Sequence, residues 1–95
     1  MITGHIDRFE LSKSFIKAFA KLTDGEQRRV NQAMTTATID LAHPMLRAHD
    51  LKGDYAGTVS ISAGGDLRIH LHLVEEDDEL VAIVQAVGTH SQLYG

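Results

Sequence analysis

Six histidines, His5, His43, His49, His70, His72 and His90, share a 95-residue chain that has no cysteine. An imidazole, with an ordinary pKa near ~6.5, can give or take a proton at neutral pH. The lack of cysteine excludes thiol nucleophiles, disulfides and Cys-ligated zinc. No P-loop, no GxGxxG fingerprint and no HExxH pair is present, so the sequence offers none of the common phosphate cradles or zinc-protease motifs. His70 and His72 stand at i, i+2 and would point the same way from a strand. They could supply two ligands of a metal site, but no third ligand has diagnostic spacing. The same alternation places Asp66 and Arg68 beside them, so one strand face would carry an acid, a cation and two imidazoles.

The elements that must position these side chains follow from periodicity. His5 to Phe9 reads as a short extended segment. Leu11, Phe15, Phe19 and Leu22 recur at helical spacing, with Ser12 or Ser14 as the N-cap. The opposite face of that helix carries Lys13, Lys17 and Lys21, a basic stripe that is either a solvated face or one turned toward phosphate. Thr23 with Glu26 three residues on fits a capping box. The second helix follows, with Val30, Ala33, Met34, Ala37 and Leu41 on one face, and Pro44 marks its end or the loop beyond. A short turn between the two predicts an antiparallel helical hairpin.

Beyond Pro44 the period becomes 2. Gly57 to Ser62 reads as a strand, Ala63-Gly64-Gly65 as a turn and Asp66 to Val74 as a second strand. Glu75 to Glu79 is an acidic turn, and Leu80 to Val87 a third strand, apolar on both faces apart from Gln85 and so central. Leu67, Ile69, Leu71 and Leu73 would pack on the helices. The expected fold is α+β: a short N-terminal strand, a helical hairpin, then a three-stranded antiparallel meander, all in one domain spanning 1–95.

The formal charge is −4, from 9 basic and 13 acidic residues. Five of the acids form the run Glu75-Glu76-Asp77-Asp78-Glu79, and the rest of the chain is nearly neutral. A charged hairpin tip discourages edge-to-edge pairing. No apolar run approaches the ~18–20 residues that span a bilayer. The first residues, Met1-Ile2-Thr3-Gly4-His5, lack the basic and apolar regions of a signal peptide, so a cytoplasmic protein with no membrane partner is expected.

The second half carries a more specific pattern. It reads His49-Asp50-Leu51-Lys52-Gly53, then Gly65-Asp66-Leu67-Arg68, and ends Gly88-Thr89-His90-Ser91-Gln92-Leu93-Tyr94-Gly95. In these segments, and in its helix-hairpin-then-meander order, the chain resembles bacterial toxins of the RelE/ParE superfamily, in particular the YafQ-type messenger-RNA interferases. That resemblance implies the toxin of a type II toxin–antitoxin system. It would be an endoribonuclease that enters the ribosomal A site and cuts messenger RNA there, without metal or organic cofactor, and that a cognate antitoxin binds and neutralises in a hetero-oligomer. By position, His49, Asp66 and His90 match active-site residues of the family. Tyr94 matches a supporting C-terminal aromatic, and Arg68 an arginine common on this strand. Ser62 stands where YafQ-type members have a further histidine, and Leu67 where many have tryptophan.

RNA carries its own nucleophile, the 2′-OH. Cleavage needs a base for its proton, an acid for the leaving 5′ oxygen and positive charge near the non-bridging oxygens. The resemblance therefore assigns His49 and His90 as the acid–base pair, in either order. Asp66 would orient one imidazole or act as the base itself, Arg68 would bind phosphate through two N–H groups, and Tyr94 would stack on a base or bond phosphate. Lys13, Lys17, Lys21 and Lys52 are available for RNA phosphates. Near-neutrality outside the acidic run implies poor cleavage of naked RNA. Two other functions fit the same sequence: a non-nucleolytic ParE-type toxin acting on DNA gyrase or a weakened homologue acting through its antitoxin, and a metal-binding module built on His70 and His72.

Overall fold

A computed structural model describes residues 2–94. Met1 and Gly95, the latter ending the C-terminal motif, lie outside the described residues. The chain order is β1 (Arg8–Leu11), α1 (Lys13–Ala20), α2 (Asp24–Ile39), β2 (His49–Asp50), β3 (Val59–Ser62), β4 (Leu67–Glu76), β5 (Glu79–Thr89) and α3 (His90–Tyr94). Short 3-10 turns at Pro44–Leu46 and Gly53–Tyr55 flank β2. The fold is α+β, as the periodicity predicts. Among the described residues no helix is long and apolar enough to cross a membrane.

Local chemistry sets the helices. Ser12 caps α1, its Oγ accepting the Phe15 N–H at 3.1 Å. The capping box of α2 is complete: Thr23 Oγ1 accepts the Glu26 N–H at 3.2 Å, and Glu26 Oε1 accepts the Thr23 N–H at 3.0 Å. Such a cap satisfies N–H groups that the first helical turn leaves without partners. Helix α2 stops at Ile39, and Pro44 lies in the segment beyond it, where it opens a 3-10 turn; His43 Nδ1 caps that turn by accepting the Met45 N–H at 3.1 Å.

The five strands form one sheet in the order β1-β5-β4-β3-β2. The meander β3-β4-β5 is antiparallel, and β1 runs parallel to β5 along its outer side. Strand β5 is interior, paired on both sides as its apolar composition implies, but β4 is the middle strand because the short β2 extends the sheet beyond β3. Val59, Ile61, Leu67, Ile69, Leu71, Ala82, Val84 and Val87 project to one face and pack with Phe15, Val30, Ala33, Ala37 and Leu41 into the buried core. The helices α1 and α2 therefore cover one face of the sheet, leaving the other to the site.

Several boundaries differ from the sequence reading. The first strand is Arg8–Leu11, not His5–Phe9, and Leu11 ends that strand instead of beginning the helix; it is about half exposed. Asp66 lies in the turn before β4. The acidic run is mostly strand: Glu75 and Glu76 end β4, Glu79 starts β5, and only Asp77 and Asp78 turn. Both turn residues have positive φ, 49° and 66°, the left-handed pair that matches the twist of a two-residue hairpin. Acids with strand periodicity look like a loop in sequence because their charge hides the alternation. Strand β2 and helix α3, of two and five residues, are too short to leave a periodic signal.

Candidate active site

The face of the sheet away from α1 and α2 carries the chemistry. Cross-strand register sets it: His49 on β2 pairs with Ser60 on β3, Ser60 with His70 on β4, and His70 with Ala86 on β5. Directly paired residues project to the same side, so His49, Ser60 and His70 form one row. The neighbouring row is Ser62, Arg68 and Gly88. A β-bulge interrupts β5 at the His70 rung: His70 opposes Ala86 while Leu71 opposes Val84, leaving Gln85 as the extra residue. The Gln85 carbonyl is taken up by the hydroxyls of Ser12 and Ser14 at 3.1 and 3.3 Å. Bulges bend a strand and re-aim its side chains, and this one lies beside the imidazole row.

The C-terminal residues fold back over that row. Thr89 Oγ1 accepts the Gln92 N–H at 3.3 Å and Gln92 Oε1 accepts the Thr89 N–H at 2.8 Å, a second capping box that starts α3 directly after β5. Gly88 makes the close return possible: a Cβ there would stand 2.9 Å from Gln92 Oε1 and 3.2 Å from Gln92 Cβ. On α3, His90 and Tyr94 are one turn apart at i, i+4, and their ring centroids lie 4.6 Å apart. The Tyr94 hydroxyl meets His70 Nε2 at 2.8 Å. Tyr55, from the 3-10 turn after β2, packs edge-on against Tyr94 at 5.1 Å and His70 at 6.1 Å, and its hydroxyl donates to the Leu93 carbonyl at 3.2 Å. His70 is 4% exposed, and burial followed by the nearby His49 pushes its pKa below the ordinary imidazole value.

Hydrogen bonds fix one tautomer. His49 Nδ1 lies 2.9 Å from the Arg47 carbonyl, which can only accept, so Nδ1 carries the proton and Nε2 of the neutral ring is left as an acceptor. His49 and His90 are exposed. Arg68 Nη1 donates to the Gly65 carbonyl at 2.8 Å, the Leu67 carbonyl at 3.1 Å and Ser62 Oγ at 3.3 Å. Among the described residues only its Nη1 is bonded, which leaves Nε and Nη2 available to an anion. Ser62 Oγ also accepts the Gly64 N–H at 3.2 Å. It holds the Gly64-Gly65 turn and the arginine together.

The structure thus brings His49, His90 and Tyr94 together around His70, with Arg68 one row away. Asp66 is exposed on the turn and makes no hydrogen bond among the described residues; Leu67 pairs with Thr89, so the turn that carries Asp66 meets the sheet at the end where α3 starts with His90. Lys13, Lys17 and Lys21 are exposed on α1, in the helix layer on the other side of the sheet; Lys52 leads into the turn that carries Tyr55. His70 and His72 do not act as a pair. His70 is buried against Tyr94, while His72 Nδ1 donates to the Gly57 carbonyl at 3.1 Å. Among the described residues no three His, Asp or Glu side chains gather as a metal site. Sequence reasoning missed Tyr55 and the burial of His70. The outward alternation of β4 was the available signal for His70; nothing in the sequence distinguished Tyr55.

No family profile matches the chain, and no curated protein matches it. Solved structures do. A YoeB/ParE toxin from Agrobacterium tumefaciens superposes with a TM-score of 0.72 at 19% identity, covering 87% of this chain and 98% of that one. YafQ from E. coli strain BL21(DE3) gives 0.68 at 18%, covering 92% and 97%. The toxin–antitoxin complex RelBE2 from Mycobacterium tuberculosis gives 0.68 at 15%, covering 87% and 96%. The helical hairpin, the mixed sheet and the returning C-terminal helix are therefore the fold of the RelE/ParE-type toxins.

Proposed function

We propose that the chain is the toxin of a type II toxin–antitoxin system and acts as a ribosome-dependent messenger-RNA endoribonuclease. The observation that carries this reading is the outer sheet face, where two exposed imidazoles, His49 and His90, flank the buried His70–Tyr94 pair with a partly free arginine in the adjoining row. The fold shared with RelE- and YafQ-type structures supports it.

His49 Nε2, an acceptor by the Arg47 bond, takes the proton of the 2′-OH. His90 gives a proton to the leaving 5′ oxygen. Arg68 Nε and Nη2 hold the non-bridging oxygens, where charge develops. Asp66, bonded to no imidazole among the described residues, serves as an alternative base on the turn, two residues from Arg68. The products are a 2′,3′-cyclic phosphate, or the 3′-phosphate from its opening, and a 5′-OH. Lys52, exposed just before the turn that carries Tyr55, would meet the messenger. Lys13, Lys17 and Lys21 would meet only RNA that wraps to the helix layer. An antitoxin is the expected protein partner, as in the RelBE2 and DinJ–YafQ complexes.

Expression without an antitoxin should arrest growth, and mapping of RNA 5′ ends should place cuts inside reading frames of translated messages only. Growth arrest by inhibited DNA supercoiling, with messages intact, would replace this reading with a gyrase-directed one.

A further inference from the structure

We propose that His70 is a positioning residue: a neutral imidazole that fixes the Tyr94 hydroxyl and, through the Tyr94 ring, the place of His90. The inference rests on the ribonuclease reading for its kinetic consequence but not for its structural one.

His70 sits on the middle strand, at the rung where β5 bulges, and is nearly inaccessible to water. The groups facing it are His49 and Ser60 in its own row, Ala86 across β5, Tyr55 from the 3-10 turn and Tyr94 from α3. None is an anion, so nothing near it rewards a proton, and burial keeps the ring neutral. A neutral imidazole and a phenol can bond in either direction, so the 2.8 Å contact survives a change of tautomer. With its hydroxyl committed inward, Tyr94 has only its ring to offer outward. His90 occupies that ring at 4.6 Å.

His90 itself has no side-chain hydrogen bond among the described residues. Its place is set by the capping box at the start of α3 and by the Tyr94 ring beneath it. Tyr55 holds the same helix from the side through the Leu93 carbonyl. The path His70 to Tyr94 to His90 is thus one hydrogen bond and one ring contact long. Cutting the hydrogen bond leaves the ring to a five-residue helix and the edge-on Tyr55, with nothing holding its hydroxyl end. A misplacement of about 1 Å at a reacting group can cost about 100-fold in rate. The loss would appear in kcat, because substrate-binding groups such as Arg68 are held separately by the Gly64-Gly65 turn.

The test compares His70→Phe, which keeps a ring but no nitrogen, with His70→Gln, whose amide can reach Tyr94. Cleavage is followed on ribosomes programmed with a short defined messenger. His70→Phe should lower the maximal rate about 10- to 100-fold with half-saturation changed by less than about twofold, and His70→Gln should recover most of that loss. Tyr94→Phe removes the same bond from the accessible end. It should match His70→Phe, and the double variant should be no worse than either single one. In parallel, the His90 ring proton is observed by NMR. Tyr94 stacking displaces it from the free-histidine position, and that displacement should shrink in His70→Phe and Tyr94→Phe but persist in His70→Gln. Equal losses in His70→Phe and His70→Gln, additive losses in the double variant, or an unmoved His90 resonance would overturn the proposal. A parent protein that cuts no messenger would defeat the ribonuclease reading, while the NMR comparison would still decide on His70.

Discussion

The β4–β5 hairpin ends in two opposite ways. At its tip, Glu75, Glu76, Asp77, Asp78 and Glu79 stand in water, and Arg8 on β1 reaches Glu76 at 3.3 Å and Glu79 at 3.7 Å while also pairing with Glu10. At its base, His70 and the Tyr94 hydroxyl are bonded to each other away from water and Ser62 Oγ joins the Gly64 N–H to Arg68, while His49 and His90 stand exposed beside them. Water screens the ion pairs at the tip and would solvate their charges anyway. The buried polar groups at the base, His70 and Ser62, have given up water, so a lost partner there is felt. The tip's charge is large and its energetic weight small; the base has little formal charge and holds the candidate site. A net charge of −4 describes the first end only.

The largest effects should therefore come from the base. His90→Ala and His49→Ala are each expected to lower messenger cleavage at least ~100-fold and to abolish growth arrest, the range usual for a lost general acid or base. Asp66→Asn should lose less than either, since among the described residues that carboxylate is hydrogen-bonded to no imidazole; primer-extension rates on programmed ribosomes rank the three. A loss with Asp66→Asn that equals the His49→Ala loss would make Asp66 the base. Next comes Gly88→Val. Its branched side chain would meet Gln92 and displace α3, so cleavage should fall about tenfold with circular dichroism unchanged in shape.

Acid should also find the base before the tip. The folded pKa of His70 is depressed, by burial first and His49 second. Between that depressed value and the unfolded value near ~6.5, the unfolded chain binds more protons than the folded one. Stability thus rises with pH across this window and is lost as pH falls through it. Tm should drop on going from about pH 7 to about pH 5, and His70→Gln should shrink the drop. A parent and variant with parallel profiles would mean that His70 does not titrate in the fold.

How much of this was legible in the sequence depends on length and burial. The helices and the meander could be read because α2 carries its apolar residues at helical spacing and β4 alternates over four leucine and isoleucine positions. The parallel pairing of β1 could not be read, because a four-residue strand has the same pattern whichever neighbour it joins. His49 and His90 stood out by motif, and the structure places both on the open face. Asp66 stood out by the same motif; it lies on the turn just before the ladder, exposed and without a hydrogen bond to an imidazole among the described residues. His70 was visible as an outward-facing histidine, but its burial was not, since the residues that cover it, Tyr55 and Tyr94, come from segments distant in sequence. Ser62, which interrupts the family pattern, has a use of its own here in holding Arg68.

The smallest effects belong to the tip, and they sharpen the comparison because a large one there would upset it. Arg8→Ala removes three ion pairs at once, yet all the partners are exposed. Tm should fall by about 2 °C at low ionic strength and by less than that above about 0.5 M salt, where the Debye length is only a few ångströms. Cleavage should not change. Asp78→Gly should act in the other direction. Asp78 holds φ at 66°, a region that glycine enters without steric cost and that an Asp-Gly pair favours at this hairpin turn. The substitution also removes one charge from a run of five acids. A gain of about 0.5 kcal/mol, or about 2–4 °C in Tm, is expected from relief of the backbone. The electrostatic part of that gain should fade with salt while the backbone part stays. If Asp78→Gly stabilises equally at low and high salt, backbone strain outweighs charge repulsion at the turn, and the acids at the tip act mainly by keeping the hairpin soluble and its edges unpaired.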